Sequence, residues 1–444
     1  MLVLTVGLLG IFTFGFFVAD ILLGRKAHIL ERIAVGFLLG SGIFTFVLFL
    51  ANWKLNIPFG LKESILILFS LNLASFLLNI FFAKKRKVKN IFNYNFNFKE
   101  GFENLNSLEK IIIGLVLFLF FSSLIRNLYW SVSDWDALAL YDFRAKVFLT
   151  DKSLVHAALN NDYFVHYPLY TSLLHLFVYQ TGIVNPSFIY SFLYLCLIVV
   201  FYFSLRRYVS RFRSLIFTLI LVFTPEFFGH SMMAYTNLPY SIFISLGVFY
   251  LYRWIKENNF SILVLSALLT SLSSWVRIID SFWMVSVFVV ALFSLKKKRW
   301  GELIFFTLTV FSTYYIWRSF MDFVFSRSNI NPLIPVSNYF SILARFDFVR
   351  WLEILGYLYK NVFSAWGALF FSFVVSVISV WHRRNKPEVV FYFFFVLFFL
   401  IFLLVGTYLF SFVEPNWKSI PDSARRMSMF FLPLIIYYLG LILL

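Results

Sequence analysis

Residues 391–405 read Phe-Tyr-Phe-Phe-Phe-Val-Leu-Phe-Phe-Leu-Ile-Phe-Leu-Leu-Val, with no charge and no polar group beyond one phenol. Residues 111–121 are almost as apolar, Ile-Ile-Ile-Gly-Leu-Val-Leu-Phe-Leu-Phe-Phe. Neither stretch alternates polar with apolar positions, as the strands of a transmembrane barrel do. Such stretches recur along the chain between short basic breaks, the pattern of an all-α polytopic membrane protein. Composition agrees: of 444 residues, 61% are hydrophobic, 22% aromatic and only 13% charged. Soluble domains run near a quarter charged. Too few polar residues are left here to coat a surface in water.

A crossing takes about 20 apolar residues. The sequence predicts thirteen, at 2–23, 33–51, 63–83, 111–130, 188–205, 214–230, 238–254, 262–276, 282–295, 303–320, 357–381, 389–410 and 429–444. The run 169–182 is shorter and carries His175 and Gln180; it is either a further span or a helix at the membrane surface. The basic clusters decide. They stand at Arg25/Lys26/Arg32, 84–89, Arg206/Arg207/Arg211/Arg213, Arg253/Lys256, 296–299 and Arg383/Arg384/Lys386. With 169–182 kept outside, all of them fall on one face, which the positive-inside rule makes cytoplasmic. Counting 169–182 as a crossing would separate 206–213 from 84–89. The N-terminus is then expected outside and the C-terminus inside. The first run has no basic residue before it and no small-residue cleavage site after it, so it reads as a retained span.

Lys and Arg number 38 against 21 Asp and Glu, a net charge of +17. The excess sits in short loops between apolar runs, so it serves topology and anionic lipid headgroups rather than nucleic acid. The single cysteine, Cys196, allows no internal disulfide and no cysteine-based metal site. Helix packing alone must hold the fold.

This topology leaves two long outer loops, 131–187 and 321–356, which with the other outer segments hold Asp134, Asp136, Asp142, Asp151, Asp162, Asp322, Asp347 and Glu353. Long loops in compact proteins usually carry function. Any chemistry is therefore expected on the outer face. The segment 89–110 reads as a cytoplasmic tether between the first three spans and the rest.

The first outer loop opens with Ser133-Asp134-Trp135-Asp136-Ala137-Leu138-Ala139-Leu140-Tyr141-Asp142-Phe143-Arg144-Ala145-Lys146. If this stretch is α-helical, Asp136, Leu140 and Arg144 recur at i, i+4 and i+8, with Tyr141 close by. One reading is an interfacial helix with aspartates at its positive end; the other is a polar site beside an apolar wall. Glu226, in Thr224-Pro225-Glu226-Phe227-Phe228-Gly229-His230, lies near the outer end of a predicted span. Acidic groups at membrane depth are costly and usually functional, so Glu226 is expected as a second acid of the site, a snorkelling carboxylate being the alternative. His230 either binds acceptor or metal or is structural. Arg277 and Asp280 either pair with each other or leave Arg277 aimed at a lipid phosphate. Arg425 and Arg426 are basic on the face where positive charge is disfavoured, so one of them is expected to grip an anion. Arg144 and Lys146 do the same or reach for headgroups. Asp134, Asp136, Glu226 and a histidine are oxygen and nitrogen donors compatible with a divalent cation, although no tight spacing such as His-x-x-x-His is present. A Walker glycine loop, a dinucleotide fingerprint and a Gly-x-Ser-x-Gly elbow are all missing from the sequence, which argues against a nucleotide-sugar donor and against ATP-driven transport.

The run Asp136-Ala-Leu-Ala-Leu-Tyr141 into Arg144-Ala-Lys146 resembles the first outer loop of GT-C glycosyltransferases, such as the protein O-mannosyltransferase and aminoarabinose-transferase-like groups. Those relatives usually carry Asp-Glu where this chain has Asp134-Trp135-Asp136-Ala137. His166-Tyr167-Pro168-Leu169 is similar to their Tyr-Pro element, Ala234-Tyr235-Thr236-Asn237-Leu238-Pro239 to a Tyr-x-Asp-x-Pro element with Asn237 at the acidic position, and Ser423-Ala424-Arg425-Arg426 to a late Ser-x-x-Arg. The resemblance covers 111–444, with 1–110 as a three-span addition before that core. It implies transfer of a sugar from a polyprenyl-phosphate donor to a hydroxyl of a glycan, lipid or protein, with inversion. Asp136 would be the base, with Asp134 as orienter and Glu226 as second acid. Arg425, Arg277 and Arg144 would hold the donor phosphate, and Tyr141, His166, Tyr167, Asn237 and His230 would line the substrate site. Two readings stand beside it: a transporter or flippase of a lipid-linked or anionic solute, and a non-catalytic membrane scaffold.

Overall fold

In lipid every backbone N–H and C=O must be satisfied within the protein, and long apolar segments satisfy them by winding as helices. The computed structural model describes residues 2–24, 27–85, 105–160, 167–278, 281–328, 341–381 and 387–443, and no strand occurs among them. Two compact units are formed, Met1–Val324 and Phe325–Leu444.

The first unit contains α1 (Leu2–Leu23), α2 (Ile29–Leu55), α3 (Leu61–Lys85), α4 (Ser107–Tyr129), a π turn (Ala137–Asp142), α5 (Phe143–Asp151), α6 (Leu154–Leu159), α7 (Tyr170–Gln180), α8 (Phe188–Arg206), α9 (Arg211–Val222), α10 (Pro225–His230), α11 (Asn237–Glu257), α12 (Phe260–Val276), α13 (Trp283–Lys296) and α14 (Trp300–Phe325), which reaches the junction. The second contains α15 (Phe348–Leu358), a π turn (Tyr359–Phe363), α16 (Gly367–Trp381), α17 (Pro387–Val413), α18 (Pro421–Ser428) and α19 (Leu432–Ile442).

Among the described residues, seven helices are long and apolar enough to cross a membrane, namely α1, α2, α3, α4, α8, α11 and α17, and eight if the bent pair around α15 and α16 is one span. The protein is thus a helical polytopic membrane protein. The thirteen expected runs do not all form helices of that length. The run 214–230 breaks at Phe223–Thr224 because Pro225, first residue of α10, brings no N–H to continue α9. The runs at 262–276, 282–295 and 429–444 become α12, α13 and α19, with 17, 14 and 11 residues. The run 303–320 becomes the 26-residue α14, diluted by Glu302, Arg318 and Asp322. The run 357–381 bends by 99°. The surface-helix expectation for 169–182 becomes the 11-residue α7, which at 1.5 Å per residue spans about 16 Å, half a hydrocarbon core.

Helices α1, α2 and α3 belong to the first unit. Between α1 and α2, Gly15, Gly36 and Gly40 let the backbones touch; a Cβ on Gly15 would lie 1.8 Å from Gly36 O. The resulting pair packs on α8, α12 and α7. Trp275 Nε1, at the C-terminal end of α12, donates to Thr45 Oγ1 of α2 at 3.0 Å. α11 is the innermost helix, enclosed over nearly its whole length.

The unit has two chemically different ends. At one, Glu31 at the start of α2 accepts from Arg207 after α8 and from Tyr250 near the end of α11. Glu109 closes a capping box on α4 with Asn106 and takes a two-pronged bond from Arg211 at 2.7 Å. Asp20 pairs with Arg32, Arg253 with Glu257, and Arg299 donates to Asn258. At the other end, Asn52 of α2 bonds to Lys152 O and to the N–H of Leu154, and Asn127 of α4 bonds to Ser191 and to Ser231 O. The described basic clusters of the unit collect at the first end and the described parts of the segment 131–187 at the second. Arg25, Lys26, 86–89 and the cluster Arg383/Arg384/Lys386 lie outside the described residues.

Candidate functional site

Asn185 Nδ2 donates to the carbonyls of Asn127 and Trp130 at 2.7 and 3.0 Å, which fixes where the chain leaves α4. Trp135 beyond it is 80% exposed, a ring placed to sit in a membrane interface. Asp134 and Asp136 on either side are half-buried. The loop then winds as a π turn and not as the α-helix expected. The N–H of Phe143 reaches back to Leu138 O, five residues away. The wider turn breaks the i, i+4, i+8 stripe of Asp136, Leu140 and Arg144, and brings Tyr141 as well as Leu140 above the Asp136 position. Such turns are frequent at functional sites.

Tyr141 shares a hydrogen bond of 3.0 Å with Thr236 Oγ1, and its ring meets the edge of Tyr167 with centres 6.0 Å apart. Arg144 is fully buried. Its Nε donates to Leu140 O at 3.2 Å, its Nη1 to Tyr167 O at 2.7 Å, and its guanidinium stands 5.5 Å from the Tyr141 ring centre. No carboxylate among the described residues pairs with Arg144, and its Nη2 has no partner among them. Arg277, at the end of α12, donates from Nη1 to Thr236 Oγ1 and Asn237 Oδ1 at 3.3 and 3.4 Å and lies over the Tyr167 ring at 5.5 Å. Thr236 and Asn237 begin α11, with no side chain capping its first turn. Two guanidinium groups and the positive end of a 21-residue helix therefore face one small region. Burial is the main influence lowering Arg144 to about 10, so it keeps its charge at neutral pH. Burial likewise pushes the Tyr141 phenol up to about 12, keeping it a neutral donor.

Five of the expected site residues come together here: Tyr141, Tyr167, Arg144, Arg277 and Asn237. Glu226 is half-buried in the first turn of α10, and its backbone oxygen accepts from His230 Nδ1 at 2.8 Å, which fixes that ring against Tyr235 at 6.1 Å between centres. His166 and Asp280 lie outside the described residues. Arg425 is an exposed residue of α18 in the second unit, beside the half-buried Arg426. Among the described residues no three His, Cys, Asp or Glu side chains are close enough to share a metal ion.

Sequence reasoning missed a second cluster behind the first. Asp142 is buried and accepts from Lys146 Nζ at 2.8 Å, from His175 Nδ1 at 3.2 Å and from the hydroxyl of Tyr179; His175 Nε2 meets the Tyr190 hydroxyl at 3.1 Å. Burial raises the Asp142 carboxyl, but the hydrogen bond and charge attraction from His175, with the hydrogen bonds from Lys146 and Tyr179, outweigh it and bring it to about 2. Burial, opposed by Asp142, lowers His175. A carboxylate this weakly basic is a poor general base. It anchors the π turn whose neighbouring residues, Tyr141 and Arg144, face the anion region. The signals available in the sequence were the Asp142–Lys146 spacing of four and the lone His175 in an otherwise apolar run.

The fold and this site define a polytopic helical membrane protein with a cluster of arginine and tyrosine side chains at one end of its first unit. No protein-family model matches the sequence, and no curated protein or solved structure shows significant similarity to it.

Proposed function

We propose that this chain is an integral-membrane glycosyltransferase of the GT-C type, moving a sugar from a polyprenyl-phosphate donor to an acceptor hydroxyl. The observation that carries this reading is Arg144, a buried charge with no carboxylate partner among the described residues. A buried ion without its counter-ion costs several kcal/mol, so a bound anion is its natural complement. Arg277, the Tyr141 and Thr236 hydroxyls and the first turn of α11 complete a cradle suited to a phosphate, and guanidinium groups can hold two of its oxygens. In the proposed reaction Asp136 takes the acceptor proton, the acceptor oxygen bonds to the anomeric carbon, and the carbon–oxygen bond to phosphate breaks. Polyprenyl phosphate leaves, stabilised by Arg144 and Arg277. Inversion needs no covalent enzyme intermediate. Asp134 orients Asp136, and Glu226 serves as second acid. The finer topology belongs to the same proposal: thirteen crossings, with the shorter helices and the broken 214–230 run included, in a prokaryotic plasma membrane with the site facing outside.

The purified protein in lipid nanodiscs is expected to release sugar from one or more of a panel of polyprenyl-phosphate-linked hexoses and pentoses. Asp136→Asn should abolish release while preserving thermal stability; release unchanged in that variant removes Asp136 from the role of base. Polyprenyl phosphate alone should raise the melting temperature, and Arg277→Gln should weaken that binding by about tenfold or more. The same cradle would serve a flippase of lipid phosphates. Transbilayer movement of polyprenyl phosphate in proteoliposomes, without release of sugar from any donor, would favour that alternative.

A further inference from the structure

α15 has three unlike sides. On the first, Ile354 and Leu358 are buried and Trp351 stacks on Tyr408 of α17, with centres 4.2 Å apart. The second is polar and already engaged: Arg350 donates to Ser411 O at 3.1 Å, Glu353 pairs with Lys418 at 2.7 Å, and Tyr357 donates to Ile420 O at 2.6 Å. The third carries Phe348, Leu352, Leu355 and, one step into the π turn, Tyr359, with Val349 beside them. These positions follow one another by four, three and four, the spacing of a single helical face. All are exposed, Phe348 at 63% and Tyr359 at 69%. Nothing described in the second unit covers them.

The chain then turns by 99° into α16. There the exposed large apolar side chains are Phe371, Val374, Val375 and Ile378, so the apolar surface continues through the bend. Two helices at right angles cannot both run along the bilayer normal. α16 carries no charged residue over its length, whereas α15 holds Arg350 and Glu353. The geometry points to α15 as a helix lying in the plane of the membrane, its apolar face resting on the acyl chains just beneath the lipid headgroups. Residues 411–420 then cover its polar side from the water. Amphipathic helices bind lipid in this way, through one buried face and charged groups at headgroup level. The segment expected as part of an outer loop is, over α15, a membrane-surface element.

Depth measurements on the full chain test this. Single-cysteine variants in a Cys196→Ser background, Val349→Cys and Leu352→Cys on the apolar face and Glu353→Cys and Lys418→Cys on the polar side, are labelled with an environment-sensitive fluorophore and reconstituted in phosphatidylcholine vesicles. Two positions on each side keep the comparison intact if one variant fails to fold. Labels at 349 and 352 should lose more fluorescence to a doxyl group placed near the headgroup than to one near the bilayer centre, and should resist iodide. Labels at 353 and 418 should be quenched by iodide. Stronger quenching of 349 and 352 from the bilayer centre would mean a broken span or re-entrant loop. Equal iodide access on both sides would place α15 in water, and protection of 349 and 352 from both quenchers would mean a protein covering. Each of these three results overturns the proposal.

Discussion

Asp142 is the residue on which the local geometry turns, although it touches neither the proposed donor nor the acceptor. It ties α5 to α7 through Lys146, His175 and Tyr179, and so holds the π turn open for Tyr141 and Arg144. Lys146 is more than half exposed and adds little; the buried hydrogen bonds to a charged acceptor carry the effect. Asp142→Asn should therefore cost about 2–3 kcal/mol, read as a lower melting temperature, and should weaken polyprenyl-phosphate binding without removing a phosphate ligand. The cluster also sets a pH dependence. Burial lowers the His175 pKa in the fold, so the imidazole takes up its proton at higher pH in the unfolded chain, below about 6.5. The unfolded state then binds more protons, so stability should fall as pH drops from 7 toward 5. His175→Gln should flatten part of that slope; His28, also lowered by burial, accounts for a further part. Asp142, at about 2 in the fold, contributes above the ordinary carboxylate range and loses its contribution only as pH falls toward 2, so it does not blur the His175 window. Thermal melts of the wild type and both variants across pH 5–8 check this. At this scale the sequence was legible where a residue type was out of keeping with its surroundings. Tyr141, Arg144 and Arg277 stood out as polar groups beside apolar runs, Tyr167 and Asn237 entered only through the motifs of the resemblance, and the five meet. Asp142 and His175 were passed over because their partner lies across a tertiary contact that no local spacing reveals.

Helices in this chain form where the apolar runs predict them, but length and register do not follow from hydropathy. The π turn at Ala137–Asp142 has the composition of an α-helix, and its extra width is imposed by the contacts of Tyr141 and Asp142 on opposite sides. The break at Pro225 was visible as a residue and was still spanned by the 214–230 run, because an average over apolar side chains does not register a missing N–H. The α1–α2 contact shows the converse case, a packing decision written in glycines. Gly36 and Gly40 are spaced by four and meet Gly15 and Ile11 of α1, the small-residue arrangement by which membrane helices approach closely. A Cβ on Gly15 would lie 1.8 Å from a backbone oxygen that no side-chain rotation can move aside. Gly15→Val should therefore destabilise by about 1–3 kcal/mol and lower the melting temperature in detergent. Gly114 of α4, with nothing within 4 Å of an added Cβ, supplies the control. Gly114→Ala should be neutral or stabilising by up to about 1 kcal/mol. Equal losses in the two variants would show that the glycines matter for backbone flexibility and not for close approach.

Across the first unit, charge and polarity sort to opposite ends of the bundle, and this is the feature that the spacing of basic residues made plainest in advance. Arg32, Arg207, Arg211 and Arg253 gather where Glu31, Glu109 and Glu257 can pair with them, while Tyr141, Thr236 and Arg277 meet at the far end of α11. The sequence could predict this because positive-inside sorting acts on each loop separately and needs no knowledge of packing. It does not reveal how many of the shorter helices complete a crossing, since 11 to 17 residues span about 16 to 26 Å, below the thickness of the hydrocarbon core. Sidedness itself is measurable. Val184 is 84% exposed in the turn before α8, and Lys297 is exposed after α13 at the end where Arg299 meets Asn258. In a Cys196→Ser background, a membrane-impermeant maleimide should label Val184→Cys in intact cells and Lys297→Cys only after permeabilisation. The reverse pattern would invert the proposed orientation and put the arginine cradle on the cytoplasmic face, where a donor drawn from the outer leaflet cannot reach it. Labelling of both positions from outside would mean an odd number of missing or added crossings between them, and would require the path from α8 to α13 to be redrawn.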